Sequence, residues 1–392
     1  MQEENTMKFV TRILALVLVG VMALTLAACH QKDEVVMTVG ETAIPAGLYL
    51  GFQLEAYQTL MNGVQEQLSA SSDAPTINHF ADYFNYDYEG QSAADYIRTQ
   101  AEKSAVEYAV VHMLCAEYEL ELSKDQMDSL DSYAAYYWTN LEPYYTANGV
   151  SLETYKEINR FKSLRSLLFD YYYNEPNEET GKGGVEQVAD KDLLSALTKD
   201  YLLADFISVA TTPADSSAEA ITDEQIAAMK EKYDGYAKRF NSGEATFAEL
   251  YKEDTGSELQ LTENTVTGTD ADPADSSIYP SSAKVLSAND SDTTQYDLFA
   301  AQMKADGFAY GKAYVLGGKD AGAYYLAVFY DLSKDAYYLK QYRSTLLHNL
   351  KDDTFTEKLA AEGAKLTLVK NDGLMNYYKP TNINFDKVAS AK

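Results

Sequence analysis

Along the first half of the chain, apolar residues return at intervals of three and four. Leu48 to Leu68 keeps this helical period until Ser69 to Pro75 breaks it, and a second helix is predicted from about Ser92 to Leu122. Ser123 followed by Gln126 makes a capping box for a third helix, and Ser151 caps a fourth that runs through Tyr173. Tyr155, Ile158, Leu164, Leu168 and Tyr171 trace one apolar face along the fourth. On the second, Cys115 shares a stripe with Ile97, Ala101, Tyr108 and Val111, which predicts a buried, inert thiol. Ahead of these helices, Val35 to Val39 reads as a strand that turns at Gly40-Glu41.

After Tyr173 the pattern changes. Asn174 to Ala189, with Pro176 and Gly181-Lys182-Gly183-Gly184, reads as a hinge. The glycine run is no phosphate loop, because the leading glycine at the required spacing and the following Ser/Thr are missing. Asp190 to Asp200 is a short helix and Tyr201 to Val209 a strand. Thr222 with Gln225 caps a helix to about Asn241, and Thr246 with Glu249 caps another through Tyr251. Thr255 to Asp292 is rich in Ser, Thr, Asp and Gly and carries little structure signal. A helix over Gln295 to Ala305 and a strand over Ala323 to Tyr330 follow. Leu339, Tyr342, Leu346 and Leu350 then mark one face of a last long helix, and Ala364 to Val369 is a final strand suited to pair with Val35 to Val39. Mixed in this order, the elements predict an α+β fold.

The N-terminus adds a destination. Lys8 and Arg12 precede sixteen uncharged residues, Ile13 to Ala28, and small residues stand before Cys29. This is the layout of an export signal over residues 1–28, too short at ~1.5 Å per residue for a ~30 Å hydrocarbon core. Leu26-Ala27-Ala28-Cys29 resembles the bacterial lipobox, which implies a diacylglyceryl thioether on Cys29 and a lipid anchor at the extracytoplasmic face of the bacterial cell membrane. The acidic stretch Met1–Thr6 makes Met7 an alternative start. A net charge of −28 excludes nucleic-acid binding through phosphate contacts and disfavours an anionic membrane surface, so the lipid would hold the protein there. With 46% hydrophobic residues the chain is not a disordered acidic tail. Once Cys29 is lipidated, Cys115 has no partner for an internal disulfide.

Several segments together resemble the PrsA/SurA-type extracytoplasmic foldases. Val36 to Glu41 is similar to their opening strand and turn, with Val39-Gly40-Glu41 lacking the usual Asn. Asn241-Ser242-Gly243-Glu244 through Phe247-Ala248-Glu249-Leu250 matches the parvulin G-x-x-F-x-x-L-A helix. Asp306-Gly307 resembles the Leu-x-x-Gly-Glu turn without its Glu, and Gly322 to Val328 lines up with the Gly-Tyr-His-Ile-Ile strand. The resemblance implies a SurA-N-like helical chaperone lobe at 29–190 and a small parvulin-like α+β domain at 198–333. A C-terminal helix and strand at 334–392 would rejoin the first lobe. It also implies a peptidyl-prolyl isomerase site built on two facing histidines. At those positions this chain has Phe206 and Tyr324, and no histidine falls between residues 201 and 333, since the four are His30, His79, His112 and His348. The Gly-Gly-x-Leu-Gly segment has no counterpart in Thr255 to Asp292. The expectation is a kept scaffold with a lost isomerase site, Phe206 and Tyr324 lying adjacent on neighbouring strands and pointing the same way.

Other chemistry is sparse. The histidines and cysteines lack metal-ligand spacing, so no metal or other cofactor is expected. Asp270, Asp272 and Asp275 lack the glycine and closing glutamate of a calcium loop. No histidine stands near a nucleophile turn. Tyrosine is the unusual residue, 33 against one tryptophan. Tyr133, Tyr136, Tyr137, Trp138, Tyr144 and Tyr145 cluster in one segment, and amphipathic aromatics suit the binding of varied unfolded chains. They are the candidate client contacts of a chaperone for newly exported polypeptides, with no nucleotide. An active isomerase and a structural surface lipoprotein are the alternatives.

Overall fold

The computed structural model describes residues 34–69, 77, 79–177, 180–213, 219–259, 277–280, 282–289 and 294–383. The expected export signal, Cys29, His30 and the aspartates at 270, 272 and 275 lie outside the described residues. The fold is α+β and divides into two compact units, one of residues 1–187 with 351–392 and one of residues 188–350.

In the first unit, β1 (Val35–Val39) and β2 (Thr42–Pro45) pair antiparallel through a turn in which Gly40 takes φ +59°. α1 (Ala46–Ser69) follows and buries Leu54, Tyr57, Leu60 and Val64. A two-stranded ribbon, β3 (Asp87–Tyr88) and β4 (Gln91–Ser92), leads into α2 (Ala93–Glu117), whose first turn is capped by the Ser92 hydroxyl accepting from Asp95 N–H. This helix stops before Leu122, where the sequence pattern carries it. Leu120 N–H closes on Cys115 O at 2.8 Å with Glu119 at φ +54°, a left-handed stop usually made by glycine. Cys115 is buried as expected, and burial pushes its thiol up to about 11. α3 (Lys124–Ala147) begins at the expected Ser123–Gln126 capping box, and α4 (Leu152–Tyr173) at Ser151. Tyr57, Tyr96, Ile97, Trp138 and Val150 meet in the core of these helices.

The second unit starts with α5 (Asp190–Asp200), which runs into β5 (Tyr201–Ala210). α6 (Asp223–Ser242) and α7 (Phe247–Thr255) both open on the expected capping boxes, Thr222–Gln225 and Thr246–Glu249. β6 (Lys284–Ser287), α8 (Thr294–Met303), β7 (Ala313–Gly318) and β8 (Ala323–Tyr330) complete an antiparallel sheet in the order β6-β5-β8-β7. β6 and β7 are absent from the sequence reading. β6 is four residues inside a polar stretch, and β7 ends in two glycines, so neither carries a strong pattern of its own. Gly317 is required there: at φ +89°, an added Cβ would lie 2.2 Å from the Ala323 carbonyl oxygen.

Each face of this sheet has its own cover. Ile207, Leu326 and Val328 pack under Tyr233 and Tyr236 of α6 and Phe247 and Leu250 of α7. Leu202, Ala204, Ala327 and Phe329 pack with Phe299 of α8. α9 (Ala336–Gly363) gives its first half to this unit and its second half to the first. Leu346 is buried, but Leu350, expected on the same face, is exposed. In the first unit β9 (Leu368–Lys370) and α10 (Asp372–Tyr377) follow. β9 pairs antiparallel with β1, Met37 opposite Lys370 and Val39 opposite Leu368, as the sequence pattern suggested.

Candidate functional site

The register of β5 on β8 decides what stands at the expected histidine positions. Phe206 is opposite Ala327, and Tyr324 is opposite Val209. Side chains alternate across a strand, so Phe206 and Tyr324 point to opposite faces of the sheet, and the expected facing pair is corrected. Phe206 instead meets Tyr325 and Phe299, with ring centroids 6.2 and 5.7 Å away, and those two rings stand edge to face at 5.4 Å. Lys284 places its ammonium 5.0 Å from the Phe206 ring centre. Tyr324 packs on the other side, among the core residues under α6 and α7. A one-residue offset in β8 separates the two assignments, because every such offset exchanges faces.

On the face under α6 and α7 lies a feature that the sequence analysis passed over. Asp205 is the one charged residue in strand β5, and it is 2% exposed. Tyr330 Oη donates to its Oδ2 at 2.7 Å, while its Oδ1 is buried without a hydrogen-bond partner. Ser282 Oγ beside it favours the charged form without closing a normal hydrogen bond, and is itself unpartnered. Burial dominates and raises the Asp205 carboxyl above its ordinary range, against the pull of Tyr330 and Ser282.

Both groups border an open cleft of 660 Å³ walled by Phe240, Phe247, Leu259 and Pro280. α6 ends at this cleft because Gly243 takes φ +78° and lets Glu244 N–H return to Arg239 O. Asn241 then fixes the helix end to β7, exchanging two 2.9 Å hydrogen bonds with the backbone of Ala313. Thr246 starts α7 along the same rim, and its hydrogen bonds to Glu249 hold that carboxyl below the usual range.

In the first unit the aromatic segment divides in two. Tyr133, Tyr136 and Tyr137 are exposed by 52, 71 and 41%, and their rings touch, 4.5 Å between Tyr133 and Tyr137 and 5.1 Å between Tyr136 and Tyr137. Tyr144 is also exposed. Trp138 and Tyr145 are not available to a client: both are buried, packed on each other and on Tyr155 of α4. The reason is helical phase, since Ala134, Trp138 and Tyr145 fall on the inner face of α3.

His112 is half-buried beside Tyr108, its Nε2 3.7 Å from Glu157, and desolvation lowers its pKa. Among the described residues, no three His, Cys, Asp or Glu side chains are grouped to hold a metal, and no helix is long and apolar enough to cross a membrane.

No family model matches the chain, and no curated protein matches it. Two solved PrsA foldases are similar to it. Foldase protein PrsA from Streptococcus pneumoniae is 14% identical, covering 72% of this chain and 90% of that one, with a TM-score of 0.34. PrsA from Bacillus subtilis is 15% identical, covering 69% and 84%, with a TM-score of 0.26. Both likenesses are loose, so the chemistry of each site rests on this chain's own residues.

Proposed function

We propose that the protein is a lipid-anchored chaperone that holds newly exported polypeptides at the outer face of a bacterial cytoplasmic membrane. The observation that carries this reading is the exposed ledge of Tyr133, Tyr136 and Tyr137, three touching rings offered to solvent on one helix. Rigid rings with polar tips gain contact area at little entropic cost and do not demand one sequence in the client. The anchor rests on the Leu26-Ala27-Ala28-Cys29 segment. Isomerase chemistry finds no support: the face that carries Phe206 is filled by Phe299 and Tyr325, and no histidine lies in residues 201–333. Rotating an imide needs an apolar cleft with placed hydrogen-bonding groups to lower a barrier of ~18–20 kcal/mol.

The test is suppression of aggregation of a chemically denatured client at equimolar protein. Wild type is expected to suppress it. A Tyr133→Ser, Tyr136→Ser, Tyr137→Ser triple variant should keep its thermal midpoint yet lose most of the suppression. A protease-coupled proline-peptide assay should show no acceleration. Equal suppression by the triple variant would reject the ledge, and proline turnover would favour the isomerase reading.

A further inference from the structure

We infer that the Asp205 cleft of the second unit is a binding site for a basic side chain, lysine or arginine, of another polypeptide. Asp205 Oδ1 and Ser282 Oγ are buried acceptors without partners, and they border the same cleft. A buried carboxylate without a counter-charge is a costly arrangement, and a protein keeps one where something else completes it. Closing Ser282 onto Asp205 would satisfy two atoms and leave the charge uncompensated. An ammonium or guanidinium donates to both.

The walls fit the rest of such a side chain. Phe240, Phe247, Leu259 and Pro280 offer apolar surface to an aliphatic stem, as basic side chains require when only the head is polar. Glu244 and Glu249 stand at the rim and add negative potential at the mouth. Two cations of this chain near the cleft are committed elsewhere. Lys284 lines a smaller adjoining cleft of 200 Å³, where its ammonium sits on the Phe206 ring. Arg239, which also bears on the rim carboxylates, pairs with Glu253 at 2.8 Å. The chain segments 214–218, 260–276 and 290–293 contain no Lys, Arg or His, so none of them brings a cation of its own. The cavity also exceeds what one methylene chain fills, which leaves room for flanking residues of an extended peptide.

The inference rests on this cleft alone and does not depend on the tyrosine ledge. Its test uses the full chain and three short end-blocked peptides, identical except for a central lysine, arginine or norleucine, with binding followed by calorimetry. The lysine and arginine peptides are expected to bind at least about tenfold more tightly than the norleucine peptide, the range of one charged hydrogen-bonded contact. Asp205→Asn should abolish that preference. Ala248→Trp places a large ring into the cleft from an exposed position on α7, and should weaken all three peptides without touching the core. The Tyr133→Ser, Tyr136→Ser, Tyr137→Ser variant should retain the preference, which separates this site from the chaperone reading. Equal affinity for lysine and norleucine, or an unchanged preference in Asp205→Asn, would overturn the inference.

Discussion

Asp205 shows how much one residue can cost. Its folded-state pKa is raised by burial above the ordinary 3.8, so the native protein holds this proton to higher pH than the unfolded chain does. The ionised group therefore destabilises the fold at neutral pH, and the penalty fades as pH falls through that raised value toward 3.8. Asp205→Asn keeps an acceptor for Tyr330 and removes the charge. We expect it to raise stability at pH 7 by on the order of 1 kcal/mol, with the gain shrinking as the pH approaches 4. Thermal unfolding of both proteins across that interval checks it, and a gain that grows on acidification contradicts the assignment. A lone acid in a largely apolar strand is visible in the sequence; its missing partner is not, because pairing depends on Tyr330 and Ser282, far away in the chain. The aromatic residues teach a similar lesson. Composition marked the segment from Tyr133 to Tyr145, but only helical phase separates the exposed Tyr136 from the buried Trp138 two positions on.

Elements that announce themselves through local chemistry were legible. The boxes at Ser123, Thr222 and Thr246 each start a helix where expected, since capping bonds span only three residues. The stop of α2 was not, because Glu119 occupies the left-handed position that glycine normally signals. A left-handed backbone costs a side-chain-bearing residue ~1–2 kcal/mol, part of which glycine gives back as unfolded-state entropy. Glu119→Gly should thus stabilise the protein by about 0.5–1 kcal/mol, read as a higher urea midpoint at an unchanged slope. The variant also gives up the 3.1 Å pair between Glu119 and Lys182, but an exposed pair of this kind contributes little. β6 and β7 were missed for a different reason: a short edge strand takes its stability from its neighbour. Once β5 and β8 form the centre of the sheet, modest sequences suffice at its edges. The same pairing fixed the face of Tyr324, which no local pattern could assign.

Across the whole molecule, the charge is far from balanced. At −28 the folded protein repels itself, and salt screens that repulsion over a Debye length of ~10 Å at 0.1 M. The thermal midpoint should rise by a few degrees between 20 and 300 mM sodium chloride, whereas a fold held chiefly by surface ion pairs would fall. The α+β class was readable from the sequence because helical and strand patterns alternate in long, distinct blocks. The return of the last strand to the first was readable only as compatibility, Val35 to Val39 being the apolar partner it could reach. That pairing has a consequence in time. β1 is synthesised early, and its partner β9 lies at residues 368–370 of the 392-residue chain. Until those last residues emerge, the β9-facing edge of β1 stays unpaired, with Met37 and Val39 waiting on residues not yet delivered. The second unit, residues 188–350, is already complete by then and can mature first, so the order of folding runs inward to outward rather than head to tail. On our reading of its function, a protein that shelters other exported chains must itself survive this interval with its first strand exposed.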